Sequence, residues 1–257
     1  MNKIASERVF TEVKMSGAYD QGPGIHRIGL IALSNDYTTE RDFMNMRPSD
    51  DVTVFTSRLH SDPDCSLESL PKMGAQIADA TSLLIPEGRL DVVAYSCTSG
   101  TAVLGFDKVR QLIQSVRPGI ACTTPLTASI EALNAFGSKR VAVLTPYTDE
   151  VNEMIARSLE AADKEITSFA SFKIVECELM TRVPPEALLR AALAMDTHDA
   201  DALFISCTAL RAVDVVAEIE RRLGKPVITA VQALYWHSLR LAGYSKPIDG
   251  FGRLFAL

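Results

Sequence analysis

The chain has 257 residues, 47% hydrophobic and 23% charged, with a formal net charge of −6 at pH 7. This balance fits a globular protein with a sizeable core, as one large domain or two small ones. The acidic charge leaves no basic stripe to neutralise phosphates and argues against nucleic-acid binding, and no apolar run approaches the roughly 20 residues of a membrane span.

Residues 1–17 mix Lys, Glu and Arg with single apolar residues and hold no signal-peptide core, so a cytoplasmic protein is expected. After a Gly-Pro-Gly turn at 22–24, the continuous apolar run over 27–33 predicts a strand buried on both faces. A β-branched run predicts a second strand over 52–57. Apolar residues at helical spacing (Leu67, Leu70, Met73, Ile77, Ala80, Leu84) predict a helix over 66–84. A strand over 90–95 and a helix over 100–116 follow, the helix stopping before Arg117-Pro118-Gly119. A short strand over 120–123 leads to a helix over 125–136 that Gly137 can cap.

The order then starts again. Strands are expected over 140–145, 172–178, 202–205 and 226–229, with helices over 149–162, 184–194, 213–223 and 231–242. Strands alternating with helices of this length imply βαβ units and a mostly parallel sheet. The two series also match in detail. Arg140 begins its strand 113 residues after Arg27, Cys207 lies 110 after Cys97, and Gly243 lies 106 after Gly137. Short loop changes in a duplicated unit would produce such a drift. We therefore expect an α/β fold of two pseudosymmetric halves, each a four-stranded, mostly parallel sheet flanked by helices. An N-terminal arm would occupy 1–26 and the halves 27–138 and 139–257, with the last helix free to pack across. Ligands of open parallel sheets bind beyond the carboxyl ends of the strands, which places an active site in the cleft between the halves.

Two peptides sit at those strand ends. Asp91-Val-Val-Ala-Tyr-Ser-Cys97-Thr98-Ser99-Gly100 and Asp201-Ala-Leu-Phe-Ile-Ser-Cys207-Thr208-Ala209 share an Asp, four apolar residues and Ser-Cys-Thr. A free thiol has a pKa of about 8.5 and becomes reactive at a helix N-terminus or in an electropositive pocket. Because both cysteines are expected to precede helices, first-turn amides can bind an anion beside them, with Thr98, Ser99 and Thr208 adding donors. Two thiols on opposite faces of a carbon can act as base and acid, or one can add to an activated double bond. Asn35 and Asp36, after the first strand, can orient a substrate or cap a helix. Tyr147, after its proline, can offer a hydroxyl to a carboxylate or simply pack in a loop. The run Glu40-Arg41-Asp42 is expected to be a solvated helix start.

Other chemistries lack their signatures. The remaining cysteines (Cys65, Cys122, Cys177) are expected to be small apolar fillers, and five cysteines without a C-x-x-C indicate neither a disulfide framework nor structural zinc. The four histidines are scattered, so no metal is expected. Dinucleotide, nucleotide and nucleophile-elbow fingerprints are absent from the sequence, and nothing points to an organic cofactor.

From Arg27 to the C-terminus the chain resembles the cofactor-independent aspartate/glutamate racemase superfamily. The resemblance rests on Ser34-Asn35-Asp36-x-Thr38-Thr39-Glu40, Tyr95-Ser96-Cys97-Thr98-Ser99-Gly100, Thr145-Pro146-Tyr147 and Ile205-Ser206-Cys207-Thr208. The most similar branch holds maleate cis-trans isomerases, arylmalonate decarboxylases and the racemase-like proteins of ectoine utilisation, and the Asp36 loop and long arm look most like the last. The resemblance implies a cleft site with Cys97 and Cys207 catalytic and Thr98, Ser99 and Tyr147 binding a carboxylate. It also implies a homodimer or higher homo-oligomer. Decarboxylases of the branch have a glycine at the position of Cys97, so two thiols favour racemisation or isomerisation. Asp36 stands where the maleate isomerases carry an amide, which disfavours maleate and favours an amino-acid-like substrate. The expected function is therefore a racemase or cis-trans isomerase of a small carboxylate. The alternatives are a decarboxylase using Cys207 as its proton donor and a non-catalytic carboxylate-binding protein.

Overall fold

The computed structural model describes residues 10–195 and 197–257. Residues 1–9 of the expected arm lie outside the described residues. The first half contains β1 (His26–Leu33), α1 (Thr39–Met46), β2 (Val52–Leu59), a 3-10 segment (Leu70–Gln76) running into α2 (Ile77–Ser82), β3 (Val92–Tyr95), α3 (Thr98–Leu104), α4 (Phe106–Val116), β4 (Ala121–Thr123) and α5 (Pro125–Ala135). The second half repeats the series with β5 (Arg140–Thr145), α6 (Asp149–Glu160), β6 (Glu165–Ser171), α7 (Cys177–Thr181), α8 (Pro185–Ala194), β7 (Ala202–Ile205), α9 (Val216–Leu223), β8 (Val227–Thr229) and α10 (Ala230–Leu241).

Both sheets are four-stranded and parallel throughout, with orders β2-β1-β3-β4 and β6-β5-β7-β8. The central strands are buried on both faces, Ile28, Leu30, Ile31 and Val141, Ala142, Val143 being inaccessible to solvent. Their continuous apolar runs reflect helix cover on each side. The repeated aspartates have the same structural task in each half. Asp91 accepts the Arg27 amide at 2.7 Å, and Asp201 accepts the Arg140 and Lys139 amides at 2.8 and 2.9 Å. Each carboxylate thus fixes the start of its central strand from the neighbouring one. The final helix does cross to the first half: Tyr235 of α10 packs on Phe43 of α1 with ring centroids 4.6 Å apart, and His237 meets Thr123 of β4 at 2.9 Å.

Four local expectations are corrected. The strand placed at 172–178 lies instead at Glu165–Ser171. Both stretches suit an extended edge, but the ladder with β5 begins at Arg140 opposite Glu165, and Lys173, at a φ of 53°, turns the chain out of it. The helix over 100–116 breaks at Gly105, whose φ of 82° suits glycine. The helix over 66–84 starts as a 3-10 segment at Leu70, where Pro71 offers no amide. Finally, Asp42 is not solvated: it is wholly buried on α1, with Arg41 on one oxygen at 3.0 Å.

Candidate active site

Ladder bonds carry both Ser-Cys-Thr peptides past the ends of their strands. The Ser96 amide donates to Ile31 O and the Ser206 amide to Leu144 O, each at 2.9 Å. The cysteines that follow project into one cavity between the sheets. Cys97, Thr98 and Ser99 line it from the first half, and Tyr147, Cys207 and Thr208 from the second. Asn35 and Asp36, leaving β1, line it as well. The structure therefore brings together every residue expected at the site.

The two thiols are held differently. Cys97 caps α3: its Sγ accepts the Gly100 amide at 3.1 Å and lies 3.7 Å from Ser99 Oγ. Glycine is needed there, because a Cβ at position 100 would sit 2.8 Å from that sulfur and 2.7 Å from the Tyr95 hydroxyl. Cys207 does not precede a helix, contrary to expectation. The chain turns instead toward a 3-10 segment at Ala212–Asp214, leaving Cys207 at a φ of 95°. Such a backbone costs a non-glycine residue on the order of 1–3 kcal/mol and is typical of functional sites. Its Sγ meets the Ala209 amide at 3.4 Å and the Tyr147 hydroxyl. Burial dominates the acidity of both thiols. It pushes Cys207 up to about 12, with the Tyr147 contact opposing, and raises Cys97 against the Gly100 amide and the Ser99 hydroxyl.

The polar lining is unusual in its balance. Thr98 Oγ1 is buried without a hydrogen-bond partner among the described residues, which leaves a donor of the cavity free for a ligand. Thr208 Oγ1 reaches only Ser96 O, at 3.4 Å. Asn35 donates to Asp62 O at 3.2 Å. One oxygen of Asp36 accepts the Thr38 and Thr39 amides at 2.7 and 2.9 Å, as a helix-capping carboxylate does, while the other is buried without a partner. Burial raises the Asp36 pKa. Among the described residues, the charged groups lining the cavity are Asp36, Asp62 and Asp64, with no Lys, Arg or His.

Two cysteines expected to be fillers also line the cavity. Cys65 stands on a loop of the first half and Cys177 at the start of α7 in the second, and the residues just before them pair antiparallel beside the cavity, Asp64 opposite Glu176. The Cys65 amide donates to Val175 O at 2.9 Å and the Cys177 amide to Pro63 O at 2.8 Å. The signal was available in the sequence: Cys177 follows Cys65 by 112 residues, within the drift of the internal repeat. Cys122 lies on β4 and is not among the lining residues. Among the described residues no cluster of three or more His, Cys, Asp or Glu could hold a metal ion.

Comparison with known proteins places this geometry in context. Arylmalonate decarboxylase from Bordetella bronchiseptica is 39% identical over 140 residues, 53% of this chain and 58% of that enzyme. A liganded double variant of arylmalonate decarboxylase superposes with a TM-score of 0.81 at 30% identity, covering 89% of this chain and 98% of that one. A cysteine-to-serine variant of Nocardia farcinica maleate cis-trans isomerase, carrying a covalently bound succinylcysteine intermediate, superposes with a TM-score of 0.83 at 25% identity, covering 90% of this chain and 98% of that one. The family model described as arylmalonate decarboxylase matches residues 66–255, a span that holds both strand-end cysteines, and the chain belongs to that family.

Proposed function

We propose that the protein is a cofactor-independent isomerase, a racemase or cis-trans isomerase of a small carboxylate, with Cys97 and Cys207 as its reacting groups. The observation that carries this reading is the convergence of both thiols on one cavity from opposite halves. Substrate held between them presents one face to each sulfur. For a racemisation, one thiolate takes the α-proton and the other thiol returns a proton to the opposite face. For a cis-trans isomerisation, one thiolate adds to the double bond, rotation follows, and elimination restores both the bond and the thiolate. The succinylcysteine in the Nocardia enzyme supports the second course for that relative.

Thr98, Ser99, Tyr147 and Thr208 would hold the carboxylate by neutral hydrogen bonds, and the unpartnered Thr98 hydroxyl supports this assignment. Asn35 and Asp36 would recognise the rest of the substrate. With carboxylates as the only charged groups of the lining among the described residues, a second substrate carboxylate meets repulsion while an ammonium meets a partner in Asp36. An amino-acid-like substrate therefore fits better than a dicarboxylate. On the same loop and the arm before β1 we place the chain with the racemase-like proteins of ectoine utilisation. We also expect it to work in the cytoplasm as a homo-oligomer, and to divide functionally into 27–138 and 139–257.

The second reading is a decarboxylase with Cys207 as sole proton donor, favoured by the family match. One experiment separates the two. Wild type, Cys97→Ala and Cys207→Ala are incubated in deuterium oxide with amino-acid enantiomers, maleate and arylmalonates, while α-carbon exchange, fumarate and carbon dioxide are followed. Isomerisation or exchange lost in both variants supports the proposal. Carbon dioxide release that survives in Cys97→Ala establishes the decarboxylase instead. If neither variant alters turnover, the two-thiol reading is wrong.

A further inference from the structure

We propose that Cys65 is a positioning residue that turns the Ser99 hydroxyl onto the sulfur of Cys97. The Cys65 thiol donates to Ser99 Oγ at 3.4 Å, and Cys97 Sγ lies 3.7 Å from the same oxygen. A serine hydroxyl has a single proton, and its lone pairs accept. With the Cys65 proton occupying the oxygen, the proton of Ser99 is directed to its other neighbour, Cys97. That sulfur already accepts the Gly100 amide at 3.1 Å and meets the Tyr95 hydroxyl, while the Asp36 carboxylate opposes its charge, so the Ser99 hydroxyl is a further donor that favours its ionised form.

Two further observations fix the direction of the relay. Cys65 and Ser99 are 5% and 4% exposed, so water is a poor substitute for either partner. Burial also keeps the Cys65 thiol protonated and hence a donor. Moreover, Cys65 is placed from the other half, because its amide is bonded to Val175 O. The second half thus helps to place the donor of the relay beside Cys97.

This inference rests on reading Cys97 as an acid–base thiol, but its test reads the thiol and not turnover. Iodoacetamide labelling of Cys97 in the full chain is followed by peptide mass spectrometry from pH 7 to 11 in wild type, Cys65→Val, Cys65→Ala and Cys65→Ser. The hydrogen bond to a charged acceptor is worth roughly tenfold in ionisation. The labelling midpoint should therefore move to higher pH by about one unit in Cys65→Val and Cys65→Ala. Cys65→Ser keeps a donor and should stay near wild type. In a Ser99→Ala background, changing Cys65 should leave the midpoint where Ser99→Ala alone puts it. A midpoint unchanged or lowered in Cys65→Val and Cys65→Ala overturns the relay, as does a shift of equal size without Ser99. The predicted midpoint shifts, found for a wild-type protein that turns over no carboxylate, count against the proposed function alone.

Discussion

Replacing Gly100 by alanine separates what a helix gains from what the thiol loses. Within a helix the change is favourable by roughly 1 kcal/mol, because alanine loses less backbone entropy than glycine. At this position the new Cβ would lie 2.7 Å from the Tyr95 hydroxyl, 2.8 Å from Cys97 Sγ and 3.0 Å from Met73 Cε. Tyr95 is fully buried and Met73 nearly so, so neither can swing into solvent. Overpacking of this kind costs about 1–3 kcal/mol. The net expectation is a protein destabilised by up to about 2 kcal/mol, read as a lower urea midpoint with an unchanged slope. The chemical loss should be larger. Pushing Cys97 away breaks the 3.1 Å bond from the Gly100 amide, and a hydrogen bond to an ionised acceptor contributes about 1.5–3 kcal/mol. Turnover and Cys97 labelling should therefore fall roughly 10- to 100-fold in protein that is still folded. A Gly100→Ala variant that is more stable than wild type and labels at the wild-type rate would refute the reasoning.

Thr98→Val removes the unpartnered hydroxyl at constant shape; it should leave the urea midpoint unchanged or raised, while kcat/KM falls by roughly tenfold or more. Burial holds the Cys207 thiol up to about 12, well above an ordinary free thiol, so the native state keeps a proton that the unfolded state loses. Stability should be fully present below about pH 9 and fall as pH rises toward 12, and Cys207→Ala should flatten that fall in alkaline denaturation curves. Burial likewise raises Asp42 to about 7, giving stability that is fully present below about pH 4 and lost as pH climbs through 7. Asp42→Asn should then melt above wild type at pH 8 and lose that advantage near pH 4; an unchanged difference across the range would show that burial of the charge is not the cause.

How far the sequence could be read depended on how local the determining forces are. Doubly buried strands such as β1 and β5 appear as unbroken apolar runs, and their spacing reveals the duplication, so the architecture was legible. Cys97 and Cys207 were legible because strand ends are where parallel sheets present side chains. The register of β6 was not, because an edge strand is chosen by its ladder with β5 and both candidate stretches suit an edge. The turn at Cys207 was missed because its positive φ is imposed by the path to the next segment and not by a glycine. Asp42 looked like solvent-facing charge, since its burial depends on packing of α1 that no local pattern encodes. Cys65 lies on a loop and Cys177 opens the five-residue α7, too short to show a periodic pattern, and only the repeat offset could have linked them.

The antiparallel pairing beside the cavity has a mechanical consequence. Within each half the strands are laced by parallel ladders, whereas the segments leading into Cys65 and Cys177 are joined by two backbone hydrogen bonds. Such bonds contribute about 1 kcal/mol each, so parting this seam is far cheaper than fraying either sheet. The seam closes over the cavity at its weakest-bonded margin, and the Cys65, Cys97 and Cys207 thiols behind it are 5%, 3% and 7% exposed.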